Sequence, residues 1–338
     1  MSSRRPFAVA SLVLVSAVAL AACAPGAAEA GAEGDATAEA STVSYSWERN
    51  TAGEDEEPEY VTETVEVPKN PEKIVAFEMA TVDTIGALGG EVAGAPVEFV
   101  PDYLQDALAD DAFNAGTLFE ADLIEIEAQQ PDLIIIGGRS SGLYEDLSAI
   151  APTIDLGISG TFIETLERNV TLLGEVLGAE DEAETALADL EVGIDEAKEA
   201  TAAAGNGLGL MVSGGQLNAM APAGEDAGSA NVRGGLIYDV FGVEPVVDDV
   251  ASATHGEPIS FEFLLEIDPD TLWVVDRDAA TGESSTAAEQ VLDNDIVAQT
   301  SAAKNDRVVY LDPVPWYIVY GGIETTQLLI DDVMQIAK

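Results

Sequence analysis

One cysteine and one histidine in 338 residues leave little room for several common chemistries. With Cys23 alone, no disulfide can close within the chain. With His255 alone, no zinc or manganese site built from several histidines is available. Basic residues are scarce as well: five lysines and eight arginines stand against 63 acidic residues, for a net charge of -50. A surface this acidic repels nucleic acid and anionic lipid head groups. The sequence also lacks a Gly-x-Ser-x-Gly elbow and a phosphate loop, and His255 has no obvious nucleophile nearby in sequence. An exported hydrolase, the different-class alternative, would need such a motif, and the expectation is of no turnover and no intrinsic cofactor.

The first residues bear on location. Arg4 and Arg5 precede an apolar run from Phe7 to Leu20 that ends in Leu20-Ala21-Ala22-Cys23. A positive start, a short apolar stretch and small residues at its end read as a signal peptide over 1–22, too short for a permanent span. The solitary Cys23 resembles the lipobox cysteine of bacterial lipoproteins, which implies an acyl anchor on the outer face of the cell membrane. Residues 23–57 are dominated by Ala, Gly, Glu, Ser and Thr. They have little to bury, and are expected to form a flexible tether.

The remaining chain exceeds the usual size of one domain. Short apolar runs at Lys73–Phe77, Asp132–Ile136, Leu208–Val212, Thr271–Val275 and Arg307–Leu311 alternate with helical patterns, the mark of an α/β fold. Ile163, Leu166, Val170, Leu173 and Leu177 step by three and four, predicting a long helix ended by Gly178. A second helical stripe runs through Ala183, Leu187, Leu190, Ile194 and Ala197. An internal echo supports two similar lobes. Pro131-Asp132 and Pro269-Asp270 each open a buried strand that ends near an arginine, Arg139 or Arg277, and each follows a short helical segment. The expected organisation is a first α/β lobe over 58–160, a connecting helix over 161–178 and a second lobe over 179–338.

Open α/β sheets bind ligands beyond the carboxyl ends of their strands, where Arg139 and Arg277 fall. Arg233 lies in a polar, glycine-rich stretch before another helix. Guanidinium groups converging on a cleft suit a bulky, oxygen-rich anion, because each presents fixed donors and keeps its charge. His255 can serve as one ligand in a coordination sphere that a chelator otherwise fills. Trp316 and Tyr317 follow the last strand and offer aromatic rings to the same cleft.

Six blocks in order carry a family resemblance: Val67-Pro-Lys-Asn-Pro-Glu-Lys-Ile-Val-Ala-Phe77, Ile134-Ile-Ile-Gly-Gly-Arg139, Asn231-Val-Arg-Gly-Gly-Leu-Ile-Tyr-Asp-Val-Phe-Gly242, Thr254-His-Gly-Glu-Pro-Ile-Ser-Phe-Glu262, Val274-Val-Asp-Arg277 and Leu311-Asp-Pro-Val-Pro-Trp-Tyr317. From about Tyr60 onward the chain resembles the siderophore-binding proteins of bacterial iron ABC importers, in the branch that handles catecholates such as petrobactin and enterobactin fragments. The resemblance implies two Rossmann-like lobes joined by one long helix, with little hinge motion. It implies a monomer that takes a ferric siderophore to an ABC permease and its ATPase subunits. It places Arg139, Arg233 and Arg277 around the anionic chelate, and His255 and Tyr317 on the iron when the chelator supplies only four oxygens. It further implies one permease-docking carboxylate per lobe, Glu262 in the second and, beside Ile124, Glu125 in the first. Haem, cobalamin and hydroxamate chelates are the alternative ligands within this fold.

Overall fold

A computed structural model describes residues 41–52, 58–223, 231–247, 249–251, 253–283 and 286–337. Cys23, the signal-peptide segment and most of the expected tether lie outside them. The tether reading is corrected at its far end. Thr42–Asn50 is a strand, β1, paired antiparallel along its whole length with β2, Tyr60–Pro68. The reason is alternation: Val43 and Tyr45 are buried while Ser44 and Ser46 are exposed, so the strand packs one face on the protein below.

The first lobe follows as β3 (Ile74–Ala76), α1 (Met79–Ala87), β4 (Val92–Ala95), β5 (Leu108–Asn114), α2 (Leu123–Gln129), β6 (Leu133–Ile136) and β7 (Thr153–Asp155). Its five strands form a parallel sheet in the order β5-β4-β3-β6-β7. Two helices carry the chain onward. The first, α3 (Phe162–Leu177), opens with a Thr161–Glu164 capping box and ends at Gly178, whose φ of 67° suits a residue without a Cβ. The second, α4 (Glu180–Ala204), runs 25 residues. The second lobe contains β8 (Asn206–Ser213), β9 (Gln216–Ala219), β10 (Glu244–Pro245), β11 (Glu257–Ile259), α5 (Phe261–Ile267), β12 (Thr271–Asp276), β13 (Val308–Leu311) and α6 (Ile323–Val333). Its sheet is mixed: β8, β12 and β13 are parallel, whereas β9 and β11 add antiparallel neighbours on the other side.

The internal echo has a structural cause. α2 and α5 are each seven residues long, capped by Asp122 and Ser260, and each ends in a left-handed residue, Gln130 or Asp268. The aspartate after the following proline then ties two strands together. Asp132 accepts from the Lys73 amide just before β3, and Asp270 accepts from the Asn206 amide that begins β8.

Alternation along the central strands divides the core. Leu133 and Ile135 join the cluster that also holds residues of α1, α3 and α4, whereas Ile134 and Ile136 belong to a separate one with Ile126 and Leu147. In the second sheet Trp273 and Val275 join the same cluster as Leu133, so one apolar core runs between the sheets through the two long helices. Leu173 lies fully buried in it, and Leu173→Ala would cost about 2–5 kcal/mol. A polar staple reinforces the join. The buried Asp83 of α1 accepts from the Glu324 amide at 2.8 Å and from the Thr325 amide at 2.6 Å, capping α6 from the other lobe.

Candidate functional site

The segment after β13 organises the site. Pro313 and Pro315 start a wide helical turn over Val314–Val319, closed by a bond from the Tyr320 amide to the Pro315 carbonyl at 2.7 Å. Turns of this i→i+5 kind recur at functional sites. Tyr320 then takes a left-handed conformation with φ 41°, unusual for a large side chain.

Successive residues of a helical turn point to different sides of its axis, so Trp316 and Tyr317 face different surroundings. Trp316 is fully buried, packs against Phe241 and donates its Nε1 proton to Asp332 at 3.0 Å. It belongs to the core, and the expectation that its ring faces the cleft is corrected. Tyr317 turns toward the cluster.

Three arginines meet there. Arg139, in the turn after β6, donates to the carbonyl oxygens of Tyr317 and Ile318, both at 3.1 Å. Arg233 donates to the same Tyr317 carbonyl at 2.9 Å, and its guanidinium sits 4.1 Å from the Tyr317 ring centre. Arg277, directly after β12, donates Nε to the Tyr317 hydroxyl at 3.0 Å. Tyr320 stacks beside Arg139 and Arg233, with ring-centre distances of 5.4 and 5.3 Å. Cations held this close repel one another, and aromatic faces and carbonyl dipoles offset part of that cost. Arg233 is buried, and its Nε has no hydrogen-bond partner among the described residues.

His255 is exposed in the loop before β11 and places Nε2 3.1 Å from the Tyr317 hydroxyl. Arg277 Nε can only donate to that hydroxyl, so the hydroxyl proton is free to reach the imidazole nitrogen. Partial burial of the ring, Arg277 and Arg233 all hold the His255 pKa below its usual value, which favours the neutral imidazole.

Two carboxylates of this site gave no signal in the motifs. Glu78, immediately beyond β3, is buried, and that burial pushes its carboxyl up to about 7 against the opposing pull of Arg139. Its place at a strand's carboxyl end was the available clue. Glu283 binds Arg277 Nη1 at 2.5 Å and is more than half exposed. Nothing in its local sequence marks it.

The expected docking residues stand elsewhere. Glu262 is exposed in the first turn of α5. Its counterpart in α2 is Ile124, 83% exposed, while the neighbouring Glu125 is half-buried and accepts from Gln129 at 2.7 Å.

Residues 74–315 match the family model described as periplasmic binding protein. The chain belongs to that family. It is 35% identical over 334 residues to the petrobactin-binding protein YclQ of Bacillus subtilis, covering 97% of this chain and 98% of YclQ. Among solved structures, a TroA-like periplasmic binding protein from Xylanimonas cellulosilytica is 65% identical, with a TM-score of 0.84 over 88% of this chain and 99% of its own. The periplasmic catecholate-siderophore binding protein VctP of Vibrio cholerae is 31% identical, with a TM-score of 0.72 over 80% of this chain and 96% of its own. The family is one of substrate-binding proteins, in which ligand capture takes the place of turnover.

Proposed function

We propose that this protein is an extracytoplasmic binding lipoprotein that captures a ferric siderophore of the catecholate type and delivers it to an ABC permease for iron uptake. The observation that carries the reading is the convergence of Arg139, Arg233 and Arg277, from both lobes, on the single residue Tyr317. A ferric tris-catecholate carries about three negative charges, and three cations in partly buried positions balance it where water-exposed pairs would contribute little. The relatives named for petrobactin and catecholate siderophores support the same ligand class.

Ferric iron enters as cargo. A chelator with four oxygens leaves two iron positions, which His255 and Tyr317 would fill. Two donors about 2 Å from one metal and at right angles to each other stand about 3 Å apart, and the observed 3.1 Å between His255 Nε2 and the Tyr317 hydroxyl fits that pair. In this reading Cys23 carries the acyl chains, and Glu262, with Glu125 as the weaker partner on the first lobe, meets the permease.

The test is a fluorescence-quench screen of the purified protein against ferric bis- and tris-catecholates, a ferric hydroxamate, haem and cobalamin. Tight, saturable quenching by the catecholates alone is the expected result. Preference for haem, cobalamin or the hydroxamate would overturn the ligand class.

A further inference from the structure

The hairpin made by β1 and β2 borders a groove of about 690 Å³ that the cationic cluster does not account for. That volume lies within the usual range of a small-molecule site. Its walls are the loops that leave the carboxyl ends of β6 and β7, through Gly138, Ser141, Gly142 and Ser159, and the facing strand β1. Six consecutive residues of β1, from Tyr45 to Asn50, line it, against only Tyr60 and Thr62 of β2, so the groove follows the free edge of β1.

Register decides what that edge presents. Ladder bonds run from the Thr51 amide to the Glu59 carbonyl at 2.7 Å and from the Lys69 amide to the Ser41 carbonyl at 3.0 Å. In an antiparallel pair such positions alternate, so Arg49 with Val61 and Trp47 with Glu63 exchange the bonds between them. Ser46 and Glu48 turn their backbone N–H and C=O away from β2, toward the groove. A row of alternating donors and acceptors pairs with groups of the same kind, which is how extended amide chains add to sheet edges.

The charges of the groove point the same way. Arg49 is held by Glu63 at 2.9 Å and by Glu145 at 3.6 Å, and Arg168 spends its guanidinium on the Gly157 and Ser159 carbonyls and on Asn169. Glu48 and Asp155 on the same lining match these two cations in number, so the described residues of the groove carry no net charge to draw an anion, unlike the cluster beside it. It borders that cluster at one point. Gly138 adjoins Arg139, and a Cβ placed on it would stand 3.5 Å from the Tyr320 hydroxyl.

We propose that the groove between the free edge of β1 and the loops after β6 and β7 is a second subsite, which takes the neutral, amide-bearing linker of a chelate whose anionic iron-binding head lies on the arginines. The inference rests on the proposed siderophore reading and adds the part of the ligand that the arginines do not select. It makes the hairpin a specificity element.

Two probes separate head from linker: the ferric complex of plain catechol, and that of N,N′-bis(2,3-dihydroxybenzoyl)-lysine amide. Gly142→Leu adds bulk to a residue of the groove wall, where a Cβ meets nothing within 4 Å. Ser46→Pro removes an outward N–H and leaves the ladder bonds in place. Each variant is expected to weaken the linker-bearing complex about tenfold, the effect of one or two lost hydrogen bonds, and to leave the plain complex unchanged. Hydrogen exchange on wild-type protein gives a measurement independent of variant folding. The amides of Ser46 and Glu48 should be slowed by the linker-bearing complex only. Equal effects of the variants on both complexes, or no slowing at these amides, overturns the subsite while the siderophore reading stands. Failure of wild type to bind either complex overturns that reading and the subsite with it.

Discussion

Arg233 meets Tyr317 twice, through a hydrogen bond to its carbonyl oxygen at 2.9 Å and through its guanidinium 4.1 Å from the centre of its ring. The two contacts fix a buried cation against a residue that also accepts from Arg139 and Arg277. In the proposed reading, groups from both lobes would sense ligand charge at this one place, over an apolar core that joins the lobes.

The arginines and Glu283 should act in opposite directions. Arg139→Gln, Arg233→Gln and Arg277→Gln are each expected to weaken ferric tris-catecholate binding by about 1.5–3 kcal/mol, the range for charged hydrogen bonds. Glu283→Gln releases Arg277 from a competing carboxylate and should tighten binding about two- to fivefold, as suits a largely exposed pair. Isothermal titration checks both signs. Unchanged affinity in all three arginine variants would exclude a cationic site.

Denticity separates His255 from the arginines. His255→Ala should impair binding of a ferric bis-catecholate and shift its charge-transfer band, with little effect on a tris-catecholate that leaves no iron position open. Tyr317→Phe should shift the same band, and Arg277→Gln should impair both complexes. Absorbance titration of the two chelates decides the matter, and indifference to denticity would leave His255 without a role at the metal.

Glu78 makes a prediction about stability and pH. Its folded-state pKa of about 7 lies above the ordinary carboxylate value of 4.5, so the folded protein binds a proton more readily than the unfolded chain between those values. Stability therefore falls as pH rises from about 4.5 through 7. The contribution of this one group is at most about 3 kcal/mol. Glu78→Gln should flatten that part of the profile, as measured by urea unfolding at pH 5 and pH 8. An identical pH dependence in wild type and variant would count against the shift.

Membrane attachment tests the reading of Cys23. Cys23→Ser is expected to move the protein from the membrane fraction to the soluble one after expression in a bacterial host with lipoprotein processing. Retention equal to wild type would mean that another segment anchors it.

Much of this protein was legible without coordinates, and the physical reason is local. Strands buried on both faces read as apolar runs, so β3, β6, β8 and β12 were each visible, as was the half-buried apolar run of β13, and the stripe from Ile163 to Leu177 announced α3 together with its Gly178 stop. The proline-aspartate echo located Arg139 and Arg277 at equivalent strand ends. Scarcity of cations, together with the glycine-rich stretch around Arg233, singled out all three arginines. Other features depended on long-range placement. Trp316 and Tyr317 are neighbours of similar composition, and only the pitch of the turn after β13 sends one to the core and the other to the site. The pairing of β1 with β2 was hidden because a mostly polar strand, exposed on alternate residues, reads like a linker until the surface beneath it is known. Glu78 and Glu283 became meaningful only where folding brought them beside Arg139 and Arg277. Sequence determined which elements form and which cations are rare enough to matter, because periodicity and composition are properties of neighbours along the chain. Tertiary structure alone decided that Tyr317 is the residue on which they converge, because its partners lie between 40 and 178 residues away and no local pattern encodes that meeting.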